Sequence, residues 1–115
     1  MAADADRLES CPRLALAFAL LGKRWTALIL DVLLQRPARF SEIHQAIPNL
    51  SERLLSERLH ELMVAGVVER SGSDGAPVVY ALTDAGRPLA PALDAIRSWA
   101  GALDGSAAAP PATSP

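Results

Sequence analysis

The sequence lacks the features of secreted and membrane proteins. Its single cysteine, Cys11, excludes a disulfide framework within the chain, and its acidic, polar start is not that of a signal peptide. Residues 14–34 form an apolar stretch of membrane-spanning length, but Lys23, Arg24 and Asp31 interrupt it and would be costly in lipid. We therefore expect two soluble helices there, a cytoplasmic location and no membrane partner.

Groups that support catalysis are also missing from the sequence. His44 and His60 have no partner at metal-ligand spacing, and there is neither a glycine-rich phosphate loop nor a serine in a nucleophile motif. We therefore expect that the protein is not an enzyme and that it binds no metal and no cofactor.

Positive charge is not in excess either. A net charge of −2 and a pI near 5.6 argue against a basic protein that coats nucleic acid nonspecifically. The charge is unevenly distributed, because residues 23–58 carry a net +2 and the remainder −4. A solvated mixed surface would explain this imbalance as well, but the positive charge coincides with the two-helix unit described next.

Residues 40–63 have the pattern of two short helices joined by a tight turn. The first helix is predicted to be capped by Ser41 and to end at Pro48-Asn49. Ser51 is the predicted N-cap of the second helix, which has a buried stripe at helical spacing: Leu55, Leu59 and Leu62. This layout is typical of a DNA-reading helix-turn-helix, although an ordinary helical hairpin would give the same pattern.

Two further helices are predicted before this unit. The first begins near Pro12 and is apolar on nearly all sides until Gly22 ends it, so it needs cover both from its own core and from a second subunit. The second is predicted from Trp25 to Leu34. Its buried face is expected to consist of Leu28, Ile29, Val32 and Leu33.

A β-hairpin is predicted after the two-helix unit. Its strands are expected from Val67 to Arg70 and from Val78 to Leu82, with the turn-forming residues 71–77 as the loop. Helices followed by a two-stranded ribbon make a winged helix. The hairpin therefore decides between a DNA-reading unit and a plain helical bundle in favour of the former.

The last predicted element is a helix with an apolar packing seam. Thr83 is its predicted N-cap, but Pro88 and Pro91 delay a regular helix until about Leu89. The seam then consists of Leu89, Leu93, Ile96, Ala100 and Leu103, with Trp99 on its flank.

The predicted fold class is mainly α with a small β-hairpin, that is, a winged helix-turn-helix with N- and C-terminal dimerisation helices. Residues 11–104 are expected to form this DNA-binding and dimerisation domain. Residues 1–10 are expected to be a flexible N-terminus, and the small-residue and proline-rich segment 105–115 a disordered tail.

Over roughly residues 11–103, the sequence resembles the HxlR family of bacterial winged-helix transcriptional regulators. The matching pieces, in order, are Cys11-Pro12, LGKRW, RFSEIHQAI, LSERLHEL, AGVVER, YALTDAGR and LDAIRSWAGAL. The resemblance implies a homodimer that binds palindromic operator DNA, with a terminal helix of each subunit in the dimer interface. It also implies, for some members, a sensing cysteine at the position matching Cys11.

Two features depart from the family pattern. The hairpin loop, residues 71–77, is short and has no basic or aromatic residue, whereas wings in this family are commonly longer and more basic. This weakens the case for a minor-groove contact and leaves Arg70 as a phosphate contact at the base of the hairpin. The second departure is Pro88, which is expected within the final helix and would alter dimer geometry.

Arg53 is the first candidate for a DNA contact, because an arginine near the start of a recognition helix can pair with guanine or phosphate. The alternative is a solvated ion pair with Glu57, one turn later. Arg58 lies nearer the buried side and is expected to form a structural ion pair. The other DNA-binding candidates are Ser56 and His60 on the same face, Ser41 at a helix N-terminus, and Arg39, Lys23 and Arg24 for the phosphate backbone.

Cys11 precedes a helix N-terminus, where unpaired amides and the helix dipole favour a thiolate. Together with the resemblance, this predicts that Cys11 responds to oxidants or electrophiles. The alternative is a small buried apolar residue. Because there is no second cysteine, a disulfide would have to join two subunits or involve a small thiol.

The dimer interface is expected to include Leu14, Phe18, Leu89, Leu93, Ile96, Trp99 and Leu103.

A winged-helix module that binds another protein, without binding DNA, is the alternative function. The net negative charge, and a hairpin loop without basic or aromatic residues, would suit such a module. The two alternatives predict different salt dependence, because DNA binding weakens steeply as salt rises and a hydrophobic protein contact does not.

Overall fold

The computed structural model describes residues 6–104, which form five helices and a two-stranded antiparallel sheet. The elements in order are α1 (Pro12–Leu21), α2 (Thr26–Gln35), α3 (Phe40–Ala46), α4 (Glu52–Val64), β1 (Val68–Ser73), β2 (Ala76–Leu82) and α5 (Leu89–Asp104). The predicted winged helix-turn-helix fold and the element order are confirmed, and the dimerisation role of the terminal helices stays a prediction. The predicted tail, 105–115, lies outside the described residues, as does the first half of the predicted flexible N-terminus, 1–5.

Helix α2 is the centre of the core. It packs against α1, α3, α5 and β2, and it buries Thr26, Ile29, Leu30 and Leu33. The predicted face was wrong at Leu28, which is half-exposed, while Leu30 is fully buried. The observed stripe follows the i, i+3, i+4, i+7 spacing, but the helix is apolar almost throughout, so its sequence did not determine which stripe faces inward.

Helices α3 and α4 form the predicted helix-turn-helix. In the turn, Ile47 and Leu50 are buried, and Asn49 adopts the left-handed conformation (φ 72°) that asparagine tolerates. The Ser51 hydroxyl accepts a hydrogen bond from the backbone N–H of Leu54 (3.1 Å), so the predicted cap of α4 is confirmed. The leucine stripe of α4 is buried as predicted.

The predicted cap of α3 was wrong. The helix begins at Phe40 with Arg39 as its N-cap, so Ser41 is the second helical residue. The Glu42 carboxylate satisfies the helix start by accepting a hydrogen bond from the backbone N–H of Arg39 (2.9 Å). A glutamate at the third helical position can therefore fix a helix start even where no small polar residue precedes the helix.

The β-hairpin is longer than predicted. Most of the expected loop, residues 71–77, belongs to the strands, and only Asp74 and Gly75 connect them. The register pairs Val68 with Leu82 and is irregular at Gly72. A Cβ added at Gly72 would lie 2.6 Å from the Pro77 carbonyl oxygen, and its φ is +131°. Glycine at this position therefore allows the close approach of the strands that lengthens the hairpin.

The hairpin is joined to the helical core at two places. Ala38 and Tyr80 exchange two backbone hydrogen bonds (3.0 and 2.8 Å), which ties β2 to the segment just before α3. The Thr83 hydroxyl donates to the Gly66 carbonyl oxygen (2.6 Å), which ties the end of β2 to the end of α4. Thr83 was predicted to cap α5. This prediction was wrong, because its side chain bonds to Gly66 instead.

Helix α5 begins at Leu89, as predicted. Pro88 consequently precedes the helix, and the expectation that it lies within the helix was wrong. Pro91 occupies the first turn. Backbone N–H groups there have no intrahelical acceptor, so a proline costs the helix no hydrogen bond. An Arg97–Asp31 ion pair joins α5 to α2, and Arg97 also pairs with Asp94. Both carboxylates raise the pKa of the Arg97 guanidinium. The largest cause is the hydrogen bond with Asp94, followed by the charge of Asp31.

Candidate nucleic-acid interface and cysteine site

The exposed face of α4 carries the main DNA-binding candidates. Arg53, Ser56 and His60 are all exposed, and the Arg53 side chain keeps 89% of its surface accessible. Its Nε atom lies 3.2 Å from Oε2 of Glu57. The ion pair with Glu57 does not exclude a DNA contact of Arg53. Such an exposed ion pair contributes at most about 1 kcal/mol, so Arg53 can exchange it for a phosphate or a base.

On the inner flank of α4, Arg58 forms structural contacts, as expected. Its Nε donates to the backbone carbonyl oxygen of Arg24 (2.9 Å), and its Nη1 lies 3.4 Å from the Glu61 carboxylate. Lys23 pairs with the same carboxylate at 3.2 Å. The recognition helix thus holds the segment that links α1 to α2, and it places Lys23 and Arg24 beside itself.

That linking segment contains a strained residue. Trp25 has φ 80°, a left-handed conformation that costs a large residue on the order of 1–3 kcal/mol. Its ring packs half-buried against the core, and the Arg24 guanidinium lies 4.6 Å from the ring centroid. Packing and hydrogen bonds from neighbouring elements therefore hold residues 22–25 in a defined conformation.

The start of α3 was expected to bind a phosphate, but it already carries a carboxylate. Arg36 contacts Glu42 through two hydrogen bonds (3.1 and 3.3 Å). The pKa of Glu42 is lowered, first by the Arg36 guanidinium and then by the Arg39 amide, and the pKa of Arg36 is raised by the same contact. The side chains of Arg39 and Ser41 are exposed beside this cluster, where they stay predicted contacts to the DNA backbone.

The hairpin presents little positive charge at its tip. Arg70 is exposed on β1, where it is paired in register with Tyr80, and Asp74 occupies the two-residue connection. A phosphate contact of Arg70 stays a prediction. Although the strands extend further than the sequence suggested, residues 71–77 carry no basic or aromatic side chain, so this departure from the family pattern remains.

Cys11 is the N-cap residue of α1. Its Sγ accepts a hydrogen bond from the backbone N–H of Leu14 at 3.4 Å, and the residue is exposed. The predicted location at a helix N-terminus is confirmed, and the alternative of a small buried apolar residue does not hold within this chain. The reactivity of the thiol stays a prediction.

Two helices expose apolar side chains. On α1, Leu14, Leu16 and Phe18 keep between 50% and 75% of their surface accessible. On α5, the predicted interface residues divide into two groups. Leu93 is buried in the core of its own chain and Leu89 packs half-buried against that core, and the interface itself stays a prediction. The exposed large apolar residues of α5 are Ile96, Trp99 and Leu103.

Two features were not found from the sequence. Leu16 has the largest exposed fraction of the large apolar residues on α1, and its place between Leu14 and Phe18 in a mostly apolar helix could have signalled it. The Arg36–Glu42 pair had a weaker signal, namely a glutamate three residues after the true N-cap.

The described residues also limit other kinds of site. Among residues 6–104 no three histidine, cysteine, aspartate or glutamate side chains are grouped so that they could hold a metal ion. Likewise, no helix in this part of the chain combines the length and the apolar character that crossing a membrane requires.

The fold and the exposed face of α4 define a winged helix-turn-helix protein. The family model described as HxlR-like helix-turn-helix matches residues 20–106, which is most of the chain. The protein therefore belongs to the HxlR-like helix-turn-helix family of DNA-binding transcriptional regulators.

Relatives from Bacillus subtilis (strain 168) agree with this assignment. The chain is 53% identical over 97 residues to the uncharacterized HTH-type transcriptional regulator YvaP, which covers 83% of this chain and 90% of YvaP. It is 44% identical over 92 residues to the HTH-type transcriptional regulator YodB, which covers 78% of this chain and 82% of YodB.

Solved structures of YodB superimpose on this chain. The reduced form has a TM-score of 0.72 at 41% identity and covers 81% of this chain and 93% of its own. The quinone-bound form has a TM-score of 0.70 at 43% identity and covers 79% and 97%.

Proposed function

We propose that this regulator binds an inverted-repeat operator as a homodimer and that modification of Cys11 by oxidants or electrophiles changes its affinity for DNA. The observation that carries the DNA contact is the exposed face of α4, where Arg53, Ser56 and His60 lie on one side of a capped recognition helix. Exposed arginines near the start of such a helix pair with guanine or phosphate in the major groove.

The exposed apolar residues of α1 and α5 support the dimer. Leu14, Leu16 and Phe18 on α1 and Trp99 and Leu103 on α5 would all be exposed in a monomer, and large apolar residues clustered on exposed helices commonly mark an interaction surface. A two-fold axis would set the two α4 helices about one DNA turn apart, roughly 34 Å, or a multiple of it, which explains the inverted repeat.

Two observations support the role of Cys11. YodB has been solved in reduced, quinone-bound and diamide-treated forms, and the Cys11 thiol of this chain is exposed at a helix N-terminus. The thiolate adds to a ring carbon of a quinone, and the ring takes up the thiol proton to give a thioether-linked hydroquinone. With diamide, two thiols form a disulfide and the N=N bond of diamide takes up their two hydrogens to give a hydrazine, so Cys11 pairs with Cys11 of a second subunit or with a small thiol.

A protein-binding module without DNA binding is the other class of function considered. The family assignment does not favour it, and it makes an opposite prediction for salt. Operator binding that neutralises several phosphates should fall by orders of magnitude between about 50 and 200 mM salt, whereas a hydrophobic protein contact should change little.

The test of the DNA contact is fluorescence anisotropy with an operator mapped in the DNA upstream of the protein's own gene. Arg53→Ala should weaken binding by about 1–3 kcal/mol, that is, roughly 5- to 150-fold. Arg87→Ala is the matched control, because Arg87 is also exposed and also paired with a carboxylate one turn away, Asp84. Equal affinity of Arg53→Ala and the native protein would exclude Arg53 from the interface.

A further inference from the structure

Helix α1 is attached to the rest of its chain mainly at one end. None of its residues is buried, and only its last two, Leu20 and Leu21, pack half-buried against the core. Along its side, a groove of about 540 Å³ separates Leu16 from Ala65 and Val67 after the end of α4. A displacement of α1 therefore reaches the core through its C-terminal end and the residues that follow, 22–25.

Residues 22–25 are held by the recognition helix. Arg58 reaches across from α4 and donates its Nε–H to the Arg24 carbonyl oxygen at 2.9 Å. Its side chain is only 15% exposed, and its Nη1 faces Glu61, whose carboxylate also pairs with Lys23. Arg58 and Glu61 together bind both the backbone and a side chain of the same short segment.

This arrangement connects Cys11 to the face of α4 that reads DNA. Cys11 caps one end of α1, and Arg24 follows its other end, after a ten-residue helix that is roughly 15 Å long. A helix of this length transmits a displacement as a rigid body. Arg58 lies on α4 between Arg53 and His60. A displacement of the Arg24 carbonyl oxygen would therefore rotate or shift α4, and with it Arg53 and His60.

We propose that Arg58 is a positioning residue that couples the position of α1 to the orientation of α4, and thereby the chemical state of Cys11 to operator affinity. This inference rests on the proposed function of Cys11 and names the contact through which it acts. Arg58 itself touches no DNA in this scheme, because its guanidinium is occupied by Arg24 and Glu61.

The first test compares operator affinity before and after modification of Cys11 by a benzoquinone, with the extent of modification followed by mass spectrometry. In the native protein the affinity should change by at least about tenfold, within the usual range of coupling between two sites. In Arg58→Lys, which keeps the charge but loses the Nε–H bond, the change should fall below about threefold at equal modification. Arg97→Lys, which alters the surface ion pair between α5 and α2, should respond as the native protein does.

A purely structural role of Arg58 would lower stability and affinity in both states without changing their ratio. Thermal unfolding of Arg58→Lys shows whether the variant folds. A ratio equal to that of the native protein at full modification would overturn the proposal.

The second test does not use DNA. Cys11 is alkylated with a bulky maleimide, and hydrogen–deuterium exchange is measured in residues 22–25 and in α4. In the native protein the adduct should accelerate exchange in both, and in Arg58→Lys the acceleration should stop before α4. Equal acceleration of α4 in both proteins would exclude Arg58 as the coupling contact. Coupling in this assay, with no effect of quinone on operator affinity, would instead contradict only the proposed sensing function.

Discussion

Helices α1 and α2 have the same length and nearly the same apolar character, but they have opposite environments. Helix α2 buries four residues and contacts most other elements of its chain, whereas α1 buries none. A strongly apolar helix must be covered, but its sequence does not say whether its own chain or a second copy covers it. For α2 the cover is intramolecular. For α1 we propose that it is the partner subunit, and the following predictions test this difference.

Leu30→Ala in α2 should have the largest effect. Leu30 is fully buried, so the change removes apolar contacts and leaves a cavity, which should lower the free energy of unfolding by about 2–5 kcal/mol. Urea unfolding at two protein concentrations a hundredfold apart should give the same loss. The matched change on α1 is Leu16→Ala, whose effect should depend on protein concentration; a concentration-independent loss there would contradict the comparison.

Phe18→Ala should weaken the dimer rather than the fold of the subunit. Half of the Phe18 surface is exposed in the single chain, so a partner can bury about half of the 1.5–3 kcal/mol that a whole phenylalanine contributes. Because both subunits carry the change, dimerisation should weaken by about 1.5–3 kcal/mol, roughly 10- to 150-fold. Analytical ultracentrifugation measures this, with Val64→Ala, an exposed apolar residue at the end of α4, as the control.

Cys11→Ser should stabilise α1 slightly. Sulfur is a weak acceptor for the Leu14 amide, and a serine hydroxyl is a preferred N-cap, so the free energy of unfolding should rise by up to about 1 kcal/mol. The variant should also lose any response of operator binding to quinone or diamide. Thermal unfolding and anisotropy on the same samples test both effects, and a quinone response that persists in Cys11→Ser would remove Cys11 from the sensing scheme.

The smallest effect is expected where α2 ends, at the Arg36–Glu42 pair. The folded state lowers the pKa of Glu42, so the unfolded state binds more protons in the range between the folded and unfolded values. The stabilisation by this pair should therefore be complete above the pKa of an unfolded glutamate, about 4.3, and be lost as the pH falls through the lower folded value. Comparing Glu42→Gln with the native protein in urea at pH 7 and at pH 3 tests this. A difference that grows toward acid pH would have the wrong sign.

The sequence allowed the class of fold and the order of its elements to be predicted, because caps, breakers and periodicity agree in most segments. Ser51, Gly22 and the start of α5 at Leu89 are such cases. The phase of α2 could not be predicted, because an almost uniformly apolar helix offers several equivalent stripes and only packing decides among them. The length of the hairpin depended on a close approach at Gly72, which is a tertiary contact.

For the candidate site, too, the features that follow from helical geometry were predicted and those that depend on packing were not. The exposed position of Arg53, the inward position of Arg58 and the helix-capping position of Cys11 follow from helical geometry, and the structure agrees with each. The division of the α5 seam between core and surface could not be predicted, because a seam of alternating spacing is wide enough to serve two neighbours. The bond from Arg58 to Arg24 joins residues 34 positions apart, and no local pattern indicates it.

The outer strand of the hairpin, β1, bears on whether copies of this protein aggregate through their sheets. In the described part of the chain, β1 pairs only with β2, and its residues after Val68 are exposed, so it presents an open sheet edge. Such an edge can recruit strands from other molecules and seed aggregation. Here Glu69 and Arg70 charge the edge, and the irregularity at Gly72 interrupts its hydrogen-bonding pattern. The edge is therefore a poor template for a growing sheet, which leaves helix-to-helix contact as the favoured way for two copies to meet.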